Sequence, residues 1–120
     1  DAIEEGPVGY WAVPPEARAP LRPLLDHPNL RLIGSGHLHL WRLASHRRAT
    51  VAWAPATSFT LGTRLMPEPR GAERQLGVMR HVFRDDAVET EFLPIPGAAR
   101  LVLDEMEEQI YPPAPAAARS

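Results

Sequence analysis

His37 and His39 are separated by one residue, Leu38, and preceded by two glycines, Gly34 and Gly36. Neutral imidazole is the commonest protein ligand for Zn, Mn and Fe, so a His-x-His pair is a candidate edge of a metal site. On extended backbone, residues i and i+2 point to the same side, which would let the two rings reach one point in space. The apolar run Leu30-Arg31-Leu32-Ile33 predicts a buried strand ending at the glycines. Glycine tolerates backbone conformations closed to other residues, so Gly34 and Gly36 are expected to turn the chain off that strand and leave room beside it. The plainer alternative is two half-exposed histidines on a turn.

The elements that must position the pair can be read outward from it. Before it, Leu21, Leu24 and Leu25 make an i, i+3, i+4 stripe within Glu16–Asp26, while Pro20 and Pro23 restrict where a helix can run. A short helix is expected from about Pro20, ended by Asp26-His27-Pro28-Asn29, with His27 exposed on that turn. Helix then strand reads as half of a βαβ unit and predicts a mainly parallel sheet. In such sheets ligands gather beyond the carboxyl ends of strands, where His37 and His39 fall. After the pair, residues 40–44 and 50–54 predict a hairpin with a long polar turn holding His46, Arg47 and Arg48. Trp41, Leu43, Val51 and Trp53 are expected to supply its apolar face.

Strand, then Gly36-His37-Leu38-His39, then a β-rich stretch ending in Val51-Ala52-Trp53-Ala54-Pro55, resembles the last metal motif of the calcineurin-like metallophosphoesterases. The resemblance runs from about Ala17 to Pro96, with Gly36–His39 as its specific part. It implies a partial β-sandwich of the metallophosphoesterase type. It also implies a dinuclear centre of Mn, Fe or Zn that hydrolyses a phosphomonoester or phosphodiester. His37 would serve the second metal of that pair and His39 the first. The family's other ligands lie upstream, in DxH, GDxxD and GNH(D/E) motifs, and none of these precedes Gly36. The resemblance therefore points to the C-terminal part of such an enzyme. No catalytic residue is assigned within it, and the chain by itself is expected to be inactive and to bind metal weakly if at all. A cupin-like barrel also uses His-x-His, but wants Gly where Arg31 stands and Glu where Leu43 or Ala44 stands. A non-catalytic binding or dimerising module is the remaining alternative.

The 120 residues make one domain or a piece of one, with 44% hydrophobic and 23% charged residues. The fold class expected is α/β, with α+β as the alternative: a short N-terminal helix, the strand carrying Gly-His-Leu-His, two hairpins and a C-terminal helix. Net charge is −2, which gives no case for nucleic acid or an anionic membrane surface. Every basic side chain is Arg, and there is no Cys, so thiolate metal sites are excluded. No apolar run approaches the ~18 residues of a membrane span. The compartment is left open, with the cytoplasm as the default. The first residue is Asp1, which fits a chain whose start has been removed. An exposed sheet edge, and self-association through it, is the expected consequence.

Residues 1–15 are expected to be an irregular lead-in, 16–97 the phosphoesterase-like portion, 98–111 a C-terminal helix and 112–120 a disordered Pro/Ala tail. Within the portion, residues 55–76 lack a period, and Arg64 and Arg70 on this loop are candidate phosphate-binding cations. Gly77–Phe83 and Ala87–Leu93 predict the clearest hairpin, with Val78, Val82, Val88 and Phe92 inward and His81 on the other parity. The helix stripe is Leu103, Met106 and Ile110, with Val102. Asp104, Glu105, Glu107 and Glu108 are expected to form a solvated face.

Overall fold

A computed structural model describes residues 13–64, 66, 72–98 and 100–110. The chain is a mixed α/β protein with two small sheets and few helices. Its elements are α1 (Pro15–Arg18), a 3-10 turn (Ala19–Leu21), α2 (Arg22–Leu25), β1 (Leu32–Ser35), β2 (Arg42–His46), β3 (Ala49–Trp53), β4 (Gly77–Phe83), β5 (Val88–Pro94) and α3 (Leu103–Ile110). The expected single helix before β1 is broken in three. Pro20 and Pro23 each remove an amide donor, so α-helical hydrogen bonding cannot run through 16–26. Residues 1–12 of the expected irregular lead-in, residue 111 and the tail expected over 112–120 lie outside the described residues. Among those residues, no helix is long and apolar enough to cross a membrane.

The first sheet has the order β1-β3-β2. β1 is parallel to β3, with Leu32 opposite Thr50 and Ser35 opposite Trp53. β2 is antiparallel to β3, and His46 pairs with Ala49 across Arg47-Arg48. The mainly parallel sheet expected above is thus corrected: one ladder is parallel and the other two are antiparallel. The reason is the hairpin, which is closed by two residues, not by the long turn expected. It returns β3 alongside β1 and leaves β2 on the far edge. Arg47 adopts φ 53°, the left-handed region that two-residue hairpins require and that glycine or asparagine would occupy more cheaply. His46 consequently lies in β2 and not in the turn.

Register corrects the expected faces. Arg42 lies opposite Trp53 and Ala44 opposite Val51, so Leu43 shares a face with Ala52 and not with Val51 and Trp53. Leu43 is exposed, whereas Val51, Ala52 and Trp53 are buried on the central strand. In the second sheet Met79 lies opposite Phe92, His81 opposite Thr90, and Val78 opposite Leu93. Val78 and Val82 therefore do not share Phe92's face, and Val78 is exposed. A one-residue parity change is enough for this, because strand side chains alternate with a period of 2. Phe92 stacks on Trp41 with 4.4 Å between ring centroids, and β5 packs against β3.

The core lies under the stretch that lacked a period. Leu38, Leu40, Trp53, Leu61, Met66, Ala72 and Leu103 form one buried cluster, with Phe59 packed against it. Leu40 and Met66 are each 1% exposed. Burying such a side chain contributes about 1.5–3 kcal/mol, so the loop after β3 is structural. Its backbone is tied down at several points. Thr60 pairs with Val102, donating N–H to the Leu101 carbonyl and accepting from Leu103 N–H. Arg74 donates to the carbonyls of Leu61 and Met66. The Asp104 carboxylate accepts the N–H groups of Gly62 (2.8 Å) and Arg64 (2.9 Å). Asp104 is therefore not part of a solvated acidic face; Glu105 and Glu108 are exposed as expected. α3 is also shorter than the helix predicted over 98–111.

Candidate metal site at the end of strand β1

β1 ends at Ser35, and the four-residue motif follows immediately. Its backbone is not extended. His37 adopts φ 75° and His39 φ 54°, both in the left-handed region that few non-glycine residues occupy. Gly34 and Gly36 show no such conformation, and a Cβ at either would meet nothing within 4 Å. The expectation that the glycines make the turn is thus corrected: the histidines make it. The period-2 argument for their common direction does not apply here. The glycines do provide the open space expected of them.

Left-handed backbone in a bulky residue costs roughly 1–3 kcal/mol and persists only where the surroundings impose it. Leu38, between the two histidines, is buried in the main core, and Leu40 follows it there. These two leucines fix the path of the segment on either side of His39. His39 is half-buried. Its Nδ1 lies 2.8 Å from the Phe59 carbonyl oxygen, and its ring lies 4.3 Å from that of Phe59. A carbonyl can only accept, so the proton sits on Nδ1 and the Nε2 lone pair is left for another partner. Metal-ligating histidines are held in this way, with one ring nitrogen anchored so that the other is aimed.

His37 is exposed and lines a groove of about 590 Å³. The walls of this groove include Leu21, Leu24, Ile33, Gly34 and Trp53. Among the described residues, no group of three or more His, Asp or Glu converges to hold an ion. Arg64 is exposed on the turn gripped by Asp104, and its guanidinium donates to the Asp104 carbonyl; it lines neither this groove nor the one beside His46. Arg70 lies outside the described residues. His81 hydrogen-bonds Thr90 across the second hairpin, as a histidine of a sheet face. Sequence reasoning missed Phe59 and Asp104. Neither has a motif, since one acts through its carbonyl and the other through backbone amides forty residues away. Compared with protein-family models, curated proteins and solved structures, the chain matches none.

Proposed function

We propose that this chain is the C-terminal part of a dinuclear metallophosphoesterase and that His37 and His39 are its contribution to the metal site. The observation that carries the reading is the hydrogen bond from His39 Nδ1 to the Phe59 carbonyl, just beyond the carboxyl end of a parallel strand. It supports a ligand role because it leaves Nε2 as the only acceptor on an anchored ring. The Gly-His-Leu-His motif and the packing of β5 on β3, as in a partial β-sandwich, support the same assignment.

The two imidazoles fit part of this role. They are neutral, and a divalent pair needs carboxylates for most of its charge neutralisation. A Mn, Fe or Zn pair, when bound, clamps a phosphate ester and acidifies a water nucleophile. What this chain does by itself is narrower: it anchors His39 through Phe59 and presents His37 at an open groove. The isolated chain therefore hydrolyses no phosphoester. The test is hydrolysis of bis-p-nitrophenyl phosphate with Mn²⁺. The chain alone gives no turnover, and a longer protein carrying the upstream carboxylates gives turnover that His37→Ala or His39→Ala abolishes. Turnover that survives both substitutions refutes the proposal.

A second reading is a dimerising module. It is favoured by β1, which is paired only with β3 among the described residues, and by Leu24, which is 63% exposed along the groove. On this reading a second copy of the chain covers the β1 edge.

A further inference from the structure

The opposite end of the first sheet carries a second pocket. β1 and β3 run in parallel, so the β2–β3 turn and the chain entering β1 lie together at the end away from His37 and His39. The four residues of β1 separate the two ends by roughly 10 Å or more. Here a pocket of about 360 Å³ opens between Leu25 at the end of α2, His27, Leu30, His46, Arg47 and Arg48.

The donors around this pocket are set by their neighbours. His27 Nδ1 accepts the Asn29 N–H at 3.1 Å, so the proton of the neutral ring sits on Nε2 and can be donated. His46 also lines the pocket, and its Nε2 is buried without a hydrogen-bond partner. Arg47 pairs with Asp26 at 2.8 Å, which neutralises the one carboxylate facing the pocket. Arg48 makes no hydrogen bond or ion pair among the described residues. The wall is thus left with a net positive charge. The turn that carries it pays for left-handed backbone at an arginine where glycine would serve the hairpin better. A divalent cation is disfavoured by the same arrangement, because His27 Nδ1 is occupied and the uncompensated charge is positive.

We propose that this pocket binds a phosphate-sized oxyanion, held by the Arg48 guanidinium and His27 Nε2–H beside His46. Guanidinium matches the geometry of phosphate oxygens with two parallel donors. The apolar side of the pocket, Leu25, Pro28 and Leu30, is placed to receive the organic group of a phosphomonoester.

The test is imidazole 15N–1H NMR of the full 120-residue chain, titrated with inorganic phosphate and, separately, with phenyl phosphate at constant ionic strength. The His27 and His46 signals shift and saturate together, and those of His81 and His39 do not. Arg48→Ala weakens binding at least about tenfold, the loss of the two-donor guanidinium contact, while the variant's spectrum remains folded. His27→Phe weakens it too, read at His46. Tighter binding of phenyl phosphate assigns an ester as the ligand, and equal affinity assigns the free anion. Shifts that never saturate, an equal response to chloride, or full affinity in folded Arg48→Ala overturn the site. None of these outcomes depends on metal at His37 and His39.

Discussion

Replacing Asp104 with Ala should cost about 3 kcal/mol of stability and loosen the candidate metal ligand His39 with it. The Asp104 carboxylate accepts Gly62 N–H on one oxygen at 2.8 Å and Arg64 N–H on the other at 2.9 Å. Hydrogen bonds to a charged group are worth roughly 1.5–3 kcal/mol each. Gly62 is buried, so its amide is left without a partner, whereas the exposed Arg64 amide can turn to water. That asymmetry sets the total nearer the lower end of the sum. Asp104→Asn keeps one acceptor oxygen for Gly62 and should lose about half as much. The loss is a large share of a stability of about 5–15 kcal/mol. Urea unfolding followed by tryptophan fluorescence should show a midpoint lower by roughly 1–2 M at unchanged slope. Phe59, whose carbonyl anchors His39, lies three residues before Gly62, so the His39 ring signals should broaden in the same variant. A loss below about 1 kcal/mol, or an Asn variant as damaged as the Ala variant, would refute the clamp.

Other substitutions separate positions that look alike on paper. Gly36→Ala should change stability by less than about 0.5 kcal/mol, since a Cβ there meets nothing within 4 Å. Gly77→Ala should cost about 1–3 kcal/mol or more, because its Cβ would fall 2.5 Å from the Leu93 carbonyl and against the Phe92 ring; thermal melts of the pair decide it. If a second copy covers the β1 edge, Leu24→Glu should convert an associating chain to a monomer in light scattering, and a wild-type chain that stays monomeric at high concentration contradicts that reading.

The strands were legible because their ends are marked: Gly34 and Gly36 bracket the end of β1, and Arg84-Asp85-Asp86 separates β4 from β5. Register was not legible. Whether Phe92 faces Met79 or Val78 depends on how the hairpin closes, and each parity offers apolar partners. The broken helices were half legible, since Pro20 and Pro23 forbid a continuous helix but do not say which turn turns 3-10. The path of the histidine segment was the main misreading. With glycines at hand, nothing local assigns left-handed backbone to His37 and His39; burial of Leu38 and Leu40 by residues far along the chain does. The core under residues 59–76 was hidden for a related reason. Leu61, Met66 and Ala72 follow no period because no helix or strand carries them, and the backbone there is paired with α3 and its approach at 101–104.

The protonation of His39 tests the central claim most directly. Long-range 15N–1H NMR of the imidazole should show the proton on Nδ1 and an unprotonated Nε2, held by the Phe59 carbonyl. Zn²⁺ should then shift Nε2 weakly and saturably, and His37→Ala should remove most of that response while His81→Ala leaves it intact. A proton on Nε2, or Zn²⁺ binding that is indifferent to both His37→Ala and His39→Ala, would contradict the account.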